Sequence, residues 1–528
     1  MAITDQAIGG LSDGDATAWQ ARPSMSLAGR VALVACLAAF SVALAFAYRY
    51  QAYQPTNIDP FVYGQCAKEV LAGKRLYVQT WQDKPPLGLM LYAVPQLFKP
   101  RSYPAMGFFL GLWLAGEGLV YVAVLRRNLA AALCCFAFIT SAPLMHEDWK
   151  WLSLEHFANP FVAGLLLLAY AMLRDRSFTL VQCALIGVLT VVAFHIRQNV
   201  VLAGVVPAMV VAFSRQPWSR RVLGLGVAAL AGLICWGAVL LLVLWIGDLH
   251  GYFYTVFVYS FGYAKTGRGR DLVNLWFHFA QTRLPLLLFL FAGLGLLGRY
   301  RWLVAGSLLV GMAHCMLPKR EFPHYWCNLF PFVALYMGIA LQRDSIRSSS
   351  LRWTIVGAVF LAGMLSAAAS LYQVYQWPTY KIYKSVAETV DRIAPPGSTL
   401  LTYGPFPSCG EGVVFLSSLP PANTYWWWRF FEGPYPLLLP RSQETIFKEY
   451  LEHPPGVMAI EKQYFQNVLK TDNPSNTDRL IRMLAARYRY RTEGTSADFV
   501  ILVREQSGAA ATLPNIRPAP ATGPATRR

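Results

Sequence analysis

The sequence predicts a polytopic α-helical membrane protein that ends in a small α/β domain. Of its 528 residues, 55% are hydrophobic and only 14% are charged, and the mean hydropathy is +0.37. Soluble globular proteins carry charges at about 25% of their positions. Long apolar runs also alternate with short arginine-rich segments, which is typical of a chain that crosses a bilayer many times.

The apolar runs define the expected membrane-spanning helices, because roughly 20 apolar residues are needed to cross the hydrocarbon core. About eleven runs follow one another and predict a transmembrane domain over residues 27–376. They lie near residues 28–48, 104–125, 129–145, 156–173, 178–195, 198–213, 222–246, 283–298, 302–317, 323–341 and 353–375.

The basic residues predict the orientation of the chain. The formal net charge of +18 would suggest nucleic acid as the partner of a soluble protein, but here arginines occupy short loops, where they act as orientation signals. We therefore exclude nucleic acid and expect residues 1–26 to be a cytoplasmic tail. The arginine-rich inside loops hold Arg126, Arg127, Arg174, Arg176, Arg220, Arg221, Arg299 and Arg301.

This orientation places most polar candidate residues on the outer face. A first outer loop covers residues 49–103, a second covers 247–282, and two turns cover 146–155 and 318–323. The chain after about residue 377 is also expected outside, where its composition changes from apolar to mixed.

Residues 377–506 are predicted to form the small α/β domain. Residues 399–403, 457–461 and 498–503 resemble short buried strands, and residues 443–452 and 478–486 have helical periodicity. The tail, residues 507–528, is rich in Ala, Pro, Thr and Arg and lacks apolar periodicity, so we expect it to be disordered.

The first outer loop begins with a predicted amphipathic helix. Asp59 is a suitable N-cap, Pro60 suits the first helical position, and Gly73 follows the expected end. Asp59 is therefore either a helix cap alone or a general base. The second interpretation requires a carboxylate near the bilayer surface, where desolvation raises its basicity.

The same loop continues with Lys84 directly before a Pro-Pro pair that can open another helix. A helix N-terminus is electropositive, so an ammonium group there is repelled unless an anion fills the site. Backbone N–H groups together with a lysine form a good phosphate cradle. The alternative is a lysine that extends towards lipid headgroups.

Asp59, its amphipathic helix and the following KPPL resemble the first periplasmic loop of GT-C glycosyltransferases of the protein mannosyltransferase and aminoarabinose transferase type, glycosyltransferase family 39. The resemblance covers roughly residues 28–375. Supporting segments follow in order: HEDWKWLSLEHFANP at 146–160, RQN at 197–199 and PHYWCNLFP at 323–331.

The resemblance implies a GT-C fold with its active site on the periplasmic side of a bacterial inner membrane. It implies transfer of a sugar, with inversion, from a polyprenyl-phosphate-linked donor to an envelope acceptor, which is a glycolipid, a polysaccharide or a protein. Asp59 would activate the acceptor and Lys84 would hold the donor phosphate, as the residues themselves suggest.

One position departs from the family pattern. Many members have a second acidic residue directly after the catalytic aspartate, where this chain has Pro60. The turn at 146–155 offers other carboxylates. We take Asp148, Glu155 and Glu147 as candidates for the second acid.

Further candidates lie at the outer ends of the predicted spans. Arg197 and Arg320 can present a guanidinium fork to a lipid phosphate. Tyr63, His324 and Tyr325 are candidates for the donor pocket, although aromatic residues at this depth also serve as interfacial anchors.

A metal site is the least supported expectation. His146 and His156 lie near the acidic cluster, but their spacing matches no standard ligand pattern. The preferred interpretation is that both histidines form hydrogen bonds at the hydrated membrane interface. We assign no cofactor, and a divalent metal is left open.

Two other classes of function are compatible with a polytopic chain. A transporter or flippase of lipid-linked saccharides would carry ionisable groups within its spans, where Glu117 is the main example here. In the second class, the α/β domain would be the working part and the membrane region a scaffold. The concentration of polar residues at one face favours surface chemistry.

Overall fold

The computed structural model describes residues 27–51, 59–126, 128–145, 152–267, 269–320, 322–342, 346, 348–376, 379–403, 410–424, 442–462, 464–465, 475–495 and 499–505. Contacts divide the chain into two units, Met1–Ala43 and Leu44–Arg528. The first unit is described from Leu27, within helix α1 (Leu27–Gln51). All the other elements named below belong to the second unit.

The membrane region is helical. Its further helices are α2 (Asp59–Leu71), α3 (Pro86–Phe98), α4 (Tyr103–Leu125), α5 (Leu129–Ser141), α6 (Leu154–Asp175), α7 (Leu180–Ile196), α8 (Val205–Ala212), α9 (Trp218–Ile246), α10 (Leu249–Phe253), α11 (Ser260–Lys265), α12 (Gly269–Gln281), α13 (Leu284–Leu296), α14 (Arg301–Met316), α15 (Phe330–Ala340) and α16 (Ser349–Gln376). A π-helix covers Tyr254–Tyr259, and 3₁₀ turns cover Ala142–Met145, Gln198–Gly204 and Pro323–Leu329.

A helix overlaps each of the eleven predicted apolar runs. In the described part of the chain, four are individually long and apolar enough to cross a membrane: α4, α6, α9 and residues 349–369 of α16. The pair Asp271–Gln281 and Leu284–Leu296, bent by 79°, would be a fifth span if it is one broken helix. The protein is thus a multi-pass membrane protein, while the count of eleven spans stays a prediction.

Small residues allow the membrane helices to pack closely. A Cβ atom added to Gly187 of α7 would lie 2.0 Å from the Ala228 carbonyl oxygen of α9. One added to Gly111 of α4 would lie 2.5 Å from the Ala45 Cα atom. Close backbone approach at glycine is a common way for helices to associate in lipid, where no hydrophobic driving force operates between them.

The first outer loop contains helices near the two predicted positions. Helix α2 begins at Asp59, and the chain turns at Gly73, whose φ of 88° lies in the left-handed region that favours glycine. Helix α3 starts at Pro86, directly after Pro85. Between them, the Leu76 amide donates to the Ile246 carbonyl at 2.8 Å, which fixes the loop on the end of α9.

The C-terminal region is a four-stranded sheet with helices. Strands β1 (Leu400–Tyr403), β2 (Val457–Glu461), β3 (Tyr490–Thr495) and β4 (Phe499–Arg504) have the order β1-β2-β4-β3. β1 and β2 are parallel, and the other pairs are antiparallel. The helices are α17 (Thr379–Ile393), α18 (Glu411–Leu416), α19 (Gln443–Glu452) and α20 (Asn476–Arg487).

This arrangement confirms the predicted fold class, a helical membrane protein with a small α/β domain. The three predicted strands are β1, β2 and β4, and the two predicted helices are α19 and α20. Sequence reasoning missed β3, whose residues YRTEGT are mostly polar, and it also missed α17 and α18. The predicted disordered tail, residues 507–528, lies outside the described residues.

The close packing of α7 on α9 gives a test. Gly187→Ala should lower the thermal unfolding midpoint in detergent, because an extra methyl group in such a contact typically costs about 1–3 kcal/mol. Gly226→Ala on α9 is the matched control, because a Cβ there meets nothing within 4 Å. The control should be neutral or slightly stabilising, since alanine is the better helix former. Equal effects of the two changes would contradict the packing.

Candidate active site

Helix α2 brings Asp59 and Tyr63 together, because they are one helical turn apart. The Tyr63 hydroxyl donates to Asp59 Oδ2 at 3.3 Å. Its ring packs edge-on against Tyr92, with the ring centroids 5.4 Å apart. Burial raises the pKa of the Tyr63 phenol, and the nearby Asp59 and Asp83 carboxylates raise it further. The phenol therefore stays protonated and donates to the Asp59 carboxylate.

Lys84 is held by the acid next to it in sequence. Its Nζ lies 2.7 Å from Asp83 Oδ2, and the two side chains are only 15% and 8% exposed. The Lys84 carbonyl accepts a hydrogen bond from the Tyr77 hydroxyl at 2.9 Å. Sequence reasoning missed Asp83, although an acid directly before KPPL was a visible signal.

Glu155 and Arg197 form a buried ion pair. Glu155 lies in the first turn of α6 and Arg197 directly follows α7, and their charged atoms are 2.8 Å apart. The side chains are 1% and 9% exposed. The Arg197 guanidinium also lies over the Tyr325 ring, 5.1 Å from its centroid. A carboxylate paired in this way is better suited to fix a cation than to accept a proton.

His324 connects this pair to the first outer loop. Its Nε2 is 3.9 Å from Glu155 Oε1. Asp59, Lys84 and Arg197 are all close enough to interact electrostatically with its imidazole. Arg197 interacts in the same way with Asp59 and Tyr63. The structure therefore gathers most of the candidates, namely Asp59, Tyr63, Lys84, Glu155, Arg197, His324 and Tyr325.

Arg320 has different neighbours. Its guanidinium lies 4.0 Å from the centroid of the Tyr263 ring, donates to the Tyr263 carbonyl at 3.0 Å and donates to the Thr266 hydroxyl. It also lies 3.8 Å from Asp271 Oδ2. These contacts hold the segment between α11 and α12, so a role for Arg320 in phosphate binding stays a prediction.

The remaining candidates concern the second acid and the metal. Asp148, Glu147 and His146 lie outside the described residues. His156 is buried and stacks on Phe330, with the ring centroids 5.9 Å apart. Within the described ranges, no group of three His, Cys, Asp or Glu side chains is arranged to hold a metal ion.

Comparisons with known proteins place the fold. No protein-family model matches the sequence. No curated protein matches it either. The chain is similar to crystal structures of ArnT from Cupriavidus metallidurans. For the apo state, the TM-score is 0.55 and the sequence identity is 13%. The alignment covers 90% of this chain and 98% of the ArnT chain. The form bound to undecaprenyl phosphate has TM-score 0.57 and 12% identity, covering 89% and 98%. The chain has the fold of the GT-C glycosyltransferases.

The Glu155–Arg197 pair predicts a large stability effect. Glu155→Ala should cost about 3–5 kcal/mol of unfolding free energy, because it leaves a buried guanidinium without its partner. Asp175→Ala, which breaks the more exposed pair with Arg174 at 2.8 Å, should cost at most about 1 kcal/mol. Denaturant unfolding in detergent measures both. The double variant Glu155→Leu with Arg197→Met should recover part of the loss, and failure of Glu155→Ala to destabilise would contradict the pairing.

Proposed function

We propose that the protein is a glycosyltransferase that moves a sugar from a polyprenyl-phosphate-linked donor to an envelope acceptor on the periplasmic face of the bacterial inner membrane. The observation that carries the proposal is the convergence of one carboxylate, Asp59, with two cations, the partly exposed Lys84 and the buried Arg197. The shared fold with ArnT, which binds undecaprenyl phosphate in one of its structures, supports a lipid phosphate as the donor group.

Asp59 is the proposed general base. It accepts the proton of the acceptor hydroxyl or amine while that acceptor atom bonds to the anomeric carbon. The bond from the anomeric carbon to the donor phosphate oxygen breaks, and the polyprenyl phosphate departs with the bonding electrons. Attack opposite the leaving group inverts the anomeric centre. The hydrogen bond from Tyr63 orients the carboxylate for this step.

Lys84 and Arg197 are the proposed phosphate-binding groups. Negative charge grows on the departing phosphate, and preorganised cations stabilise it without having to reorganise. Each cation is held by a neighbouring acid, Asp83 or Glu155. We assign Glu155 to anchoring Arg197 rather than to proton transfer. His324 and Tyr325 complete the donor pocket around the arginine.

A transporter or flippase of lipid-linked saccharides is the second candidate, because of Glu117. This residue is 1% exposed within α4, and neither carboxyl oxygen has a hydrogen-bond partner among the described residues. A carboxyl group at such a position is typical of a translocation pathway. If the protein is a transporter, Glu117→Gln should abolish transport and Asp59→Asn should not. If it is a transferase, Asp59→Asn should abolish sugar transfer and Glu117→Gln should not.

The transferase proposal predicts two inactive variants. Asp59→Asn and Lys84→Ala should each reduce transfer by about a hundredfold or more, because each removes a contact that the transition state requires. The measurement is mass spectrometry of envelope glycans and glycolipids from cells that lack the gene and carry one variant. Lys99→Ala is the control, because Lys99 is exposed and lies near the end of the same outer loop. This variant should transfer sugar normally.

Binding of undecaprenyl phosphate to the purified variants separates the two roles. Lys84→Ala should bind this lipid more weakly, whereas Asp59→Asn should bind it as the wild type does, since Asp59 acts on the acceptor. Normal transfer by both variants in cells would overturn the proposal.

A further inference from the structure

Helix α2 uses two faces for two different contacts. Asp59 and Tyr63, one turn apart, lie on one face, and both interact electrostatically with Arg197. Phe61, Gly64 and Lys68 are spaced i, i+3 and i+7, so they form a second stripe along the helix. This second stripe contacts the C-terminal α/β domain.

The N-terminal part of the stripe, Phe61 and Gly64, is a closely packed aromatic contact. The Phe61 ring lies 5.9 Å from the rings of Phe415 and Tyr383. A Cβ atom added to Gly64 would lie 2.9 Å from Phe415 Cε2. The absence of a side chain at Gly64 is therefore what lets the Phe415 ring rest directly on the helix backbone.

The C-terminal part of the stripe, Lys68, is a hydrogen-bonded contact. Lys68 Nζ donates to the carbonyl oxygens of Ser417 at 2.9 Å, Val414 at 3.4 Å and Phe415 at 3.4 Å. These carbonyls lie at the C-terminal end of α18, where helix geometry leaves acceptors without partners and the helix dipole favours a cation. Three donors on one ammonium group thus meet three acceptors.

The acceptor segment is also fixed from its other side. Asp391 of α17 accepts hydrogen bonds from the Ser417 hydroxyl at 2.5 Å and the Ser418 amide at 2.9 Å. Asp391 further pairs at 3.4 Å with Arg101, which lies two residues before α4. The segment that contacts α2 is therefore held within the α/β domain by Asp391.

We propose that the α/β domain is a clamp on helix α2, and that Lys68 is a positioning residue that sets the orientation of Asp59. The inference rests on the proposed function, because it assigns to the clamp the placement of the catalytic carboxylate. Small displacements of a reacting group can lower rates by orders of magnitude, so a clamp on this helix controls turnover without touching either substrate.

Two variants disrupt the clamp at different points. Lys68→Met keeps the length of the side chain but removes the three hydrogen bonds, and Gly64→Leu pushes Phe415 away. Each should lower transfer about tenfold in cells that lack the native gene, while undecaprenyl phosphate binding by the purified variant changes less than twofold. Lys68→Arg, which retains the donors, should restore most of the transfer. The controls are Lys99→Met and Gly116→Leu, where an added Cβ meets open space.

Asp59→Asn, measured alongside, separates the two proposals. Normal transfer by Asp59→Asn would remove Asp59 from its proposed catalytic role and, with it, the purpose of the clamp. An inactive Asp59→Asn together with normal transfer by Lys68→Met and Gly64→Leu would overturn the clamp alone. Equal losses of transfer and lipid binding in both clamp variants would also overturn it, because a positioning role leaves lipid binding intact.

The pH dependence of stability provides a second readout. Burial lowers the pKa of Lys68 from 10.5 to about 8. Among the nearby charges, Glu69 and Asp391 raise this pKa, whereas Arg101 and Lys74 lower it. Between pH 8 and 10.5, the Lys68 amine is therefore neutral in the folded protein but protonated in the unfolded chain. The free energy of unfolding rises with pH in this range. Below pH 8 both states hold the proton, so Lys68 adds no pH dependence there.

The unfolding midpoint of the wild type should accordingly rise relative to that of Lys68→Met as the pH increases from 8 to 10. Lys68→Arg should show no such rise, because a guanidinium keeps its proton throughout this range. Differential scanning fluorimetry in detergent measures the midpoints. Parallel curves for the wild type and Lys68→Met would contradict the desolvation of the Lys68 ammonium group in this contact.

Discussion

The buried ion pair between Glu155 and Arg197 is the interaction on which the candidate site depends. An arginine at the end of a membrane helix has a high desolvation cost unless an acid neutralises it. Glu155 provides that acid from the neighbouring helix and leaves the arginine at a fixed position near Asp59. The pair therefore joins α6 and α7 and also sets the charge environment of the first outer loop.

The same logic applies to Lys84, with one difference. Its partner Asp83 adjoins it in sequence, so the pair forms within one short loop and requires no helix packing. The Glu155–Arg197 pair is the more buried of the two. A phosphate that enters the site would exchange more easily with Asp83 than with Glu155. Under the proposed function, Lys84 is thus the cation that changes partner and Arg197 is the one that stays in place.

Local features of this chain were predictable because their causes are local. The limits of α2 follow from Asp59, Pro60 and Gly73, and the start of α3 follows from two prolines. The apolar strands of the α/β domain could likewise be predicted from the sequence. Helix α17 was missed although its apolar residues recur with helical spacing, whereas β3 is a polar edge strand with little signal.

The contacts that define the site were beyond sequence reasoning because they join distant positions. Nothing local indicates that Glu155 pairs with Arg197, or that Arg320 donates to the Tyr263 carbonyl. The clamp on α2 likewise brings Lys68 to carbonyls that are about 350 residues away. Helix α2 carries Asp59 on one face and contacts the α/β domain with the other. Under the proposed function and the proposed clamp, the membrane region therefore provides the charges and the α/β domain holds the helix that carries the carboxylate, so neither part is a mere scaffold.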